Sequence, residues 1–184
     1  MNTKEIKYIK RNYYKKIRKD EIKRTGDLIL RSVETTLKVL TKNKNRIGFI
    51  GVYWPLNGEV DLRPLKHSQN YSLALPSTTN HKEMTYHEWS NIELKKDING
   101  IPSPLSQACL SPEQIELLLI PALAIDHSGY RLGYGGGYFD RLRSNPYWRK
   151  IQAIAILPEA CVSQTLLPQD EWDIPLDGWI REKG

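Results

Sequence analysis

The 184-residue sequence predicts a single α/β domain built on a mostly parallel sheet flanked by helices, an open sheet of the Rossmann-like kind. The prediction rests on three observations. Continuous apolar runs of strand length recur along the chain, amphipathic or helix-forming stretches lie between them, and a glycine-rich segment, GYRLGYGGGYFD at residues 129–140, sits between a strand and a helix.

Ile6, Ile9, Tyr13 and Ile17 recur three and four apart among lysines and arginines, which predicts a basic amphipathic helix over about residues 3–24 with those four on its inner face. A second helix is expected through Asp27 to Leu40. IGFIGVYWP, residues 47–55, is apolar throughout and stops at a proline, as a buried strand does. EVDLRPLKHSQ (59–69) is expected to open a helix, and YSLALP (71–76) to be a short second strand ended by Pro76. MTYHEW (84–89) alternates apolar and polar groups and reads as an antiparallel excursion. Residues 95–112, rich in Pro, Ser and Gly, read as a loop. IELLLIPALA (115–124) is the most apolar segment and is expected to be a central strand interrupted by Pro121. After the glycines come a helix from Tyr138 to about Arg143, a buried strand KIQAIAIL (150–157) and a short edge strand in DIPLDGWI (173–180). No repeat, low-complexity block or linker divides the chain, so residues 1–184 are expected to form one domain.

Composition removes several function classes. A hydrophobic fraction of 40% and a charged fraction of 26% are globular values. No run of 18 apolar residues is present to span a membrane, and the polar N-terminus lacks the apolar core of a secretory signal. A soluble, cytoplasmic protein, monomeric and without a membrane partner, is the expectation. Cys109 and Cys161 have neither disulfide-framework nor CxxC spacing, and His67, His81, His87 and His127 show no metal spacing and read as loop or surface residues. The net charge of +6 is concentrated at one end: residues 1–46 hold 15 Lys/Arg against 5 Asp/Glu. Such an arm is either a solvated helix face or an attractor of polyanions: nucleic acid, a membrane surface or a phosphorylated small molecule. With no RGG tract, zinc-finger spacing or aromatic RNP-like strand, a nucleic-acid partner is not expected.

The glycines of residues 133–137 admit two readings, a tight turn or a cradle in which backbone N–H groups and a helix N-terminus hold phosphate. Two familiar nucleotide loops fail on spelling. GxGxxG would need glycine at Tyr138 or Asp140, and GxxxxGK[ST] fails because the chain has no Gly-Lys dipeptide.

The whole stretch LLLIPALAIDHSGYRLGYGGGYFDRL, residues 117–142, resembles the signature of the 5-formyltetrahydrofolate cyclo-ligases, also called 5,10-methenyltetrahydrofolate synthetases. Further landmarks follow in the family's order: Lys7 and Arg11 as Lys-x-x-x-Arg, Glu59 after the first strand, Leu75–Pro76 before Met84 and Tyr86, and Asp173–Ile174–Pro175 near the end. The resemblance implies an ATP- and Mg²⁺-dependent enzyme that closes 5-formyltetrahydrofolate to 5,10-methenyltetrahydrofolate through a phosphorylated formyl group, releasing ADP and phosphate. It implies ATP contacts from Lys7, Arg11, Arg131, Leu132, Gly133, Tyr134, Gly135, Gly136, Gly137, Tyr138 and Phe139, with Arg131 and Tyr138 taking part in catalysis. Asp140 and Asp173 match the magnesium-linked carboxylates. Glu59, Tyr53, Met84 and Tyr138 are implied on the folate side, Glu59 as acceptor for the pterin's N–H edge.

By residue type alone, Asp140 is a helix N-terminal charge, Asp173 a turn aspartate and Glu59 a surface glutamate. The chain also departs from the family: Lys10 precedes Arg11 where leucine is common, which opens a register using Lys10 or Lys15, and Ser103 stands in GIPSP where bacterial members often carry glutamate. Two other classes stay open: a polyanion-binding protein using the basic arm, with salt-sensitive affinity, and a folate-binding member of the fold without catalysis.

Overall fold

The computed structural model describes residues 2–42, 48–68 and 70–182. It begins with one helix, α1 (Thr3–Thr41), in place of the two expected. Asn2 caps it by accepting from the Glu5 N–H at 2.9 Å, while the Glu5 carboxylate accepts from the Asn2 N–H at 3.1 Å. Gly26 fails to break the helix because it lies between two good helical stretches, and a single glycine costs only about 1 kcal/mol.

The inner face of α1 also differs from the one its isoleucines suggest. Ile9 and Tyr13 are 52% and 60% exposed, whereas Lys7, Tyr14, Arg18, Ile29, Ser32, Val33 and Leu37 are buried. The first half of the helix passes the cavity at the end of the sheet and buries Lys7 and Arg18 beside Tyr14; the second half buries Ile29, Val33 and Leu37 against the sheet.

After α1 the chain enters β1 (Phe49–Gly51), shorter than expected; Ile47 of the predicted strand lies outside the described residues. The helix expected at 59–69 is a single 3₁₀ turn at Arg63–His67, and Gln69 is not among the described residues. The strand β2 (Leu73–Thr78) runs past Pro76 rather than ending there. Its pairing with β1 stops at Ala74, so beyond that point no β1 residue needs the N–H that proline lacks. The predicted antiparallel excursion is β3 (Met84–Glu88), and the predicted loop contains a small hairpin, β4 (Lys95–Lys96) with β5 (Pro102–Ser103).

Pro121 does more than interrupt a strand. The central strand β6 (Ile115–Pro121) ends on it, and the chain then changes sheets to form β7 (Ala124–Asp126) and β8 (Arg131–Leu132). The helices α2 (Tyr138–Ser144) and α3 (Pro146–Arg149) lead to β9 (Gln152–Ile156), β10 (Val162–Ser163) and the edge strand β11 (Gly178–Ile180).

The main sheet has the order β11-β9-β6-β1-β2-β3, parallel except for β3, and a smaller sheet has the order β10-β7-β8. Alternation along β6 separates the two faces. Leu118 and Ile120 join a core with Tyr86, Leu142 and Trp148, while Leu117 and Leu119 join one with Ile29, Val33 and Leu37 of α1. Strands covered on both sides need apolar residues at every position, which is why these runs are continuous in the sequence. Chain order reverses around β1, which has β2 on one side and β6 on the other; the crevice at such a point opens at the carboxyl ends of the strands.

Among the described residues no helix is long and apolar enough to cross a membrane. Both cysteines are free thiols; burial pushes that of Cys161 up to about 12. His87, read from the sequence as loop or surface, is buried on β3, where its ring bonds the Gln107 carbonyl at 2.8 Å and Thr85 Oγ1 at 2.9 Å.

Two glycines give opposite expectations. A Cβ on Gly51 would lie 2.6 Å from Leu118 Cδ2 and 2.9 Å from the Tyr86 ring, whereas one on Gly26 would meet only Ile22 Cγ2 at 3.7 Å. In urea denaturation Gly51→Ala is expected to lose about 1–3 kcal/mol and Gly26→Ala to gain about 0.5–1 kcal/mol. Equal effects would contradict this packing.

Candidate active site

A cavity of about 760 Å³ opens at the carboxyl ends of β1, β2 and β6. Tyr53 and Trp54 follow β1 into its wall, Pro76 and Thr78 come from β2, and Pro121 from β6. The N-terminal half of α1 lines it with Lys4, Lys7 and Arg11, and the segment from Arg131 to Asp140 closes the far side. Every site residue expected from the sequence lies on this one cavity: Lys7, Arg11, Tyr53, Glu59, Met84, Asp173 and all positions from Arg131 through Asp140.

The glycine loop runs from β8 to α2. Gly135 has φ +102° and Gly137, the N-cap of α2, sits at φ +66° in the left-handed region, so a side chain at either is strained. The turn reading holds, and at Gly133 an added Cβ would come within 2.6 Å of Arg131 Nη1. Guanidinium groups take up two loop carbonyls: Arg11 Nε donates to Gly133 O at 2.9 Å and Arg141 Nη2 to Gly136 O at 2.7 Å. This covers negative ends of the loop's peptide dipoles and raises the positive potential at its surface.

Arg131, almost wholly buried, donates to Asp140 Oδ1 at 3.0 Å and lies over the Phe139 ring at 5.3 Å. Lys7 Nζ is held by Asp170 Oδ2 at 2.6 Å and Asp173 Oδ2 at 2.5 Å. Lys7 and Asp173, expected to serve nucleotide and metal separately, are thus in contact with each other. Among the described residues no three of His, Cys, Asp and Glu group to hold a metal by themselves.

Glu59 and Tyr53 are buried parts of the cavity wall. Glu59 Oε2 accepts from the Leu56 N–H at 2.7 Å, but Oε1 is buried without a hydrogen-bond partner, as is the Tyr53 hydroxyl. Glu59 is therefore no surface glutamate. Burial raises its carboxyl above the ordinary value, opposed by the Leu56 N–H and by Arg18; burial, and then Glu59 itself, lifts the Tyr53 phenol well above its own. Unsatisfied groups of this kind in a cavity wall mark where a polar ligand fits. Met84 adds an apolar surface, and the Tyr138 hydroxyl accepts from Asn99 Nδ2 at 2.9 Å.

Sequence reasoning missed Arg18, Asn99, Asp170 and Trp172. Arg18 was findable: it lies seven residues after Arg11 and eleven after Lys7, on the same helical face. Asn99 carried no signal, because its place depends on the β4–β5 hairpin that holds it beside Thr78 and Tyr138. Ser103, the departure in GIPSP, is fully buried and donates to Pro76 O at 2.9 Å, so it fastens that hairpin to β2.

A mostly parallel α/β sheet with a large cavity at its switch point, lined by cations and by a buried carboxylate, has the form of an enzyme domain. Residues 7–182 match the 5-formyltetrahydrofolate cyclo-ligase family. The chain belongs to that family and is a cyclo-ligase. It is 31% identical over 136 residues to the 5-formyltetrahydrofolate cyclo-ligase of Haemophilus influenzae, covering 69% of this chain and 72% of that protein. The same enzyme of Escherichia coli K12 is 30% identical over 135 residues, with 69% and 74% covered. Among solved structures, a 5,10-methenyltetrahydrofolate synthetase from Aquifex aeolicus matches at TM-score 0.75 and 28% identity, covering 100% of this chain and 91% of that one. One from Mycoplasma pneumoniae shares the fold at TM-score 0.72 and 22% identity, over 96% and 99%.

Because burial raises the Glu59 carboxyl, protonated Glu59 favours folding and its ionisation costs stability as pH rises. Glu59→Gln removes that cost. Its stability relative to the parent is expected to increase between about pH 4 and pH 7, read by urea denaturation at both. A relative stability that falls with pH would show that pairing with Arg18 outweighs burial.

Proposed function

We propose that the protein uses ATP to close 5-formyltetrahydrofolate to 5,10-methenyltetrahydrofolate, releasing ADP and phosphate through a phosphorylated formyl group. The observation that carries this reading is the lining of one cavity, which brings unpartnered Glu59 Oε1 and the Tyr53 hydroxyl together with Lys7, Arg11, Arg131 and the glycine loop.

A formyl oxygen is a poor leaving group. Transfer of the γ-phosphoryl onto it converts that oxygen to a phosphate ester; N10 then attacks the formyl carbon, loses its proton, and phosphate departs. Such a transfer needs placement and charge neutralisation more than covalent help. The free N–H groups of Gly133–Gly137 hold phosphate oxygens, and Arg131, fixed by Asp140 and Phe139, adds a rigid cationic fork. Arg11 reinforces the loop from α1, and Lys7 reaches phosphate on release from Asp170 and Asp173. Glu59 accepts the pterin's N–H edge, Tyr53 supplies a hydroxyl beside it, and Met84 and Tyr138 flank the rings.

Asp140 and Asp173 offer hard oxygen donors on the cavity wall, the donor type that Mg²⁺ takes together with phosphates and water. When bound there, Mg²⁺ neutralises charge on the phosphates.

The folded protein, given authentic 5-formyltetrahydrofolate and Mg-ATP, is expected to form the methenyl product, followed by its near-ultraviolet absorbance. No ATP-dependent rise would sink this reading. Asp140→Ala is expected to slow turnover by about 100-fold with unchanged circular dichroism. Full activity would remove Asp140 from the phosphate end of the site.

A further inference from the structure

We propose that Arg18 is a positioning residue for the folate end of the cavity: from behind the wall it holds Glu59 as an ionised acceptor aimed at the ligand. The inference rests on the reading that Glu59 receives the pterin's N–H groups.

Arg18 and Glu59 have side chains 3% and 2% exposed, and Arg18 Nη1 lies 3.8 Å from Glu59 Oε1. The same Nη1 donates to Ala122 O at 2.9 Å, and the guanidinium carbon sits 4.9 Å from the centre of the Tyr134 ring. One side chain from α1 is thereby fixed against three segments far apart in sequence: the loop after β1, the turn between β6 and β7, and the glycine loop. Arg18 itself is not in the cavity lining, so it acts through what it holds.

Glu59 Oε1 and Arg18 Nε are both buried without hydrogen-bond partners. At 3.8 Å the pair is an ion pair and not a hydrogen bond, which leaves the Oε1 lone pairs for a donor entering from the cavity. An isolated carboxylate so deeply buried takes up a proton instead of staying charged. A protonated Glu59 carries a hydrogen where the ligand also presents hydrogens. The Arg18 charge opposes that outcome, in the direction of holding Glu59 ionised. Of the two oxygens, the Leu56 N–H already satisfies Oε2. Together Leu56 and Arg18 oppose the effect of burial on the charge and set the rotation of the carboxylate, leaving one acceptor oxygen free.

The test is a double-mutant cycle on binding of 5-formyltetrahydrofolate, by calorimetric titration without ATP, using the full chain, Arg18→Met, Glu59→Gln and the double variant. Arg18→Met is expected to weaken binding by about tenfold in the parent and by under about twofold in the Glu59→Gln background, because the role it loses runs through Glu59. Equal weakening in both backgrounds, as a general packing defect produces, overturns the proposal; so does unchanged binding in the parent. If thermal melting shows that Arg18→Met does not fold, Arg18→Lys goes through the same cycle under the same criterion, since it keeps a cation but not the planar reach to Ala122 O and the Tyr134 ring. Failure of the parent to bind the folate refutes the functional reading itself, an outcome distinct from additivity in the cycle.

Discussion

A single helix whose buried stripe changes character halfway along it sets the terms for the rest of this molecule. Over Ile29, Val33 and Leu37, α1 buries aliphatic groups against Ile50, Leu117 and Leu119 of the sheet. Toward its start the same face carries Lys7 and Arg11 into the cavity and Arg18 behind its wall, beside Glu59. The apolar half anchors the helix; the cationic half is then projected over the sheet's carboxyl end at fixed height, with about 1.5 Å of rise per residue to place each charge. Burying cations is costly unless each meets an acceptor. Lys7 meets Asp170 and Asp173, Arg11 the Gly133 carbonyl, and Arg18 the Ala122 carbonyl and Glu59. These contacts tie loops that are far apart in sequence to one rigid rod.

The sheet supplies the complementary constraint. Because β1 ends at Gly51, level with Ala74 and Leu118, while β2 runs on to Thr78 and β6 to Pro121, a crevice is left beyond β1 that loops must wall. Burial at Tyr53 and Glu59 leaves polar atoms in the wall without hydrogen-bond partners. The glycine loop is held differently: Arg11 and Arg141 take the carbonyls of Gly133 and Gly136, and Gly135 and Gly137 adopt positive φ.

Much of this was legible in the sequence where a rule is local. The apolar runs at 115–121 and 152–156 announced buried parallel strands, and the glycine segment between strand and helix announced a loop of special backbone geometry. Rules of period and punctuation failed where tertiary context intervened. Ile9 and Tyr13 have the right spacing for a core face, yet the rotation of α1 is set by its C-terminal half, which turns them outward. Pro76 is a strand breaker only where a neighbouring strand requires its N–H. Ser103 and Asn99 lie in a stretch whose composition says loop, and their bonds to Pro76 O and Tyr138 depend on a two-residue hairpin too short to leave a periodic trace.

By itself the sequence determined the buried strands of the sheet's centre, the basic character of the N-terminal helix, the glycine loop between strand and helix, and which family's landmarks occur in order, because these depend on neighbours a few residues away. Only the tertiary structure decided that Lys7 faces Asp170 and Asp173, that Glu59 is buried with an oxygen to spare, and that Arg18 stands behind it. Each of those facts is a matter of burial and of partners more than 40 residues distant. No pattern along the chain encodes the loss of water that gives a charge its neighbour.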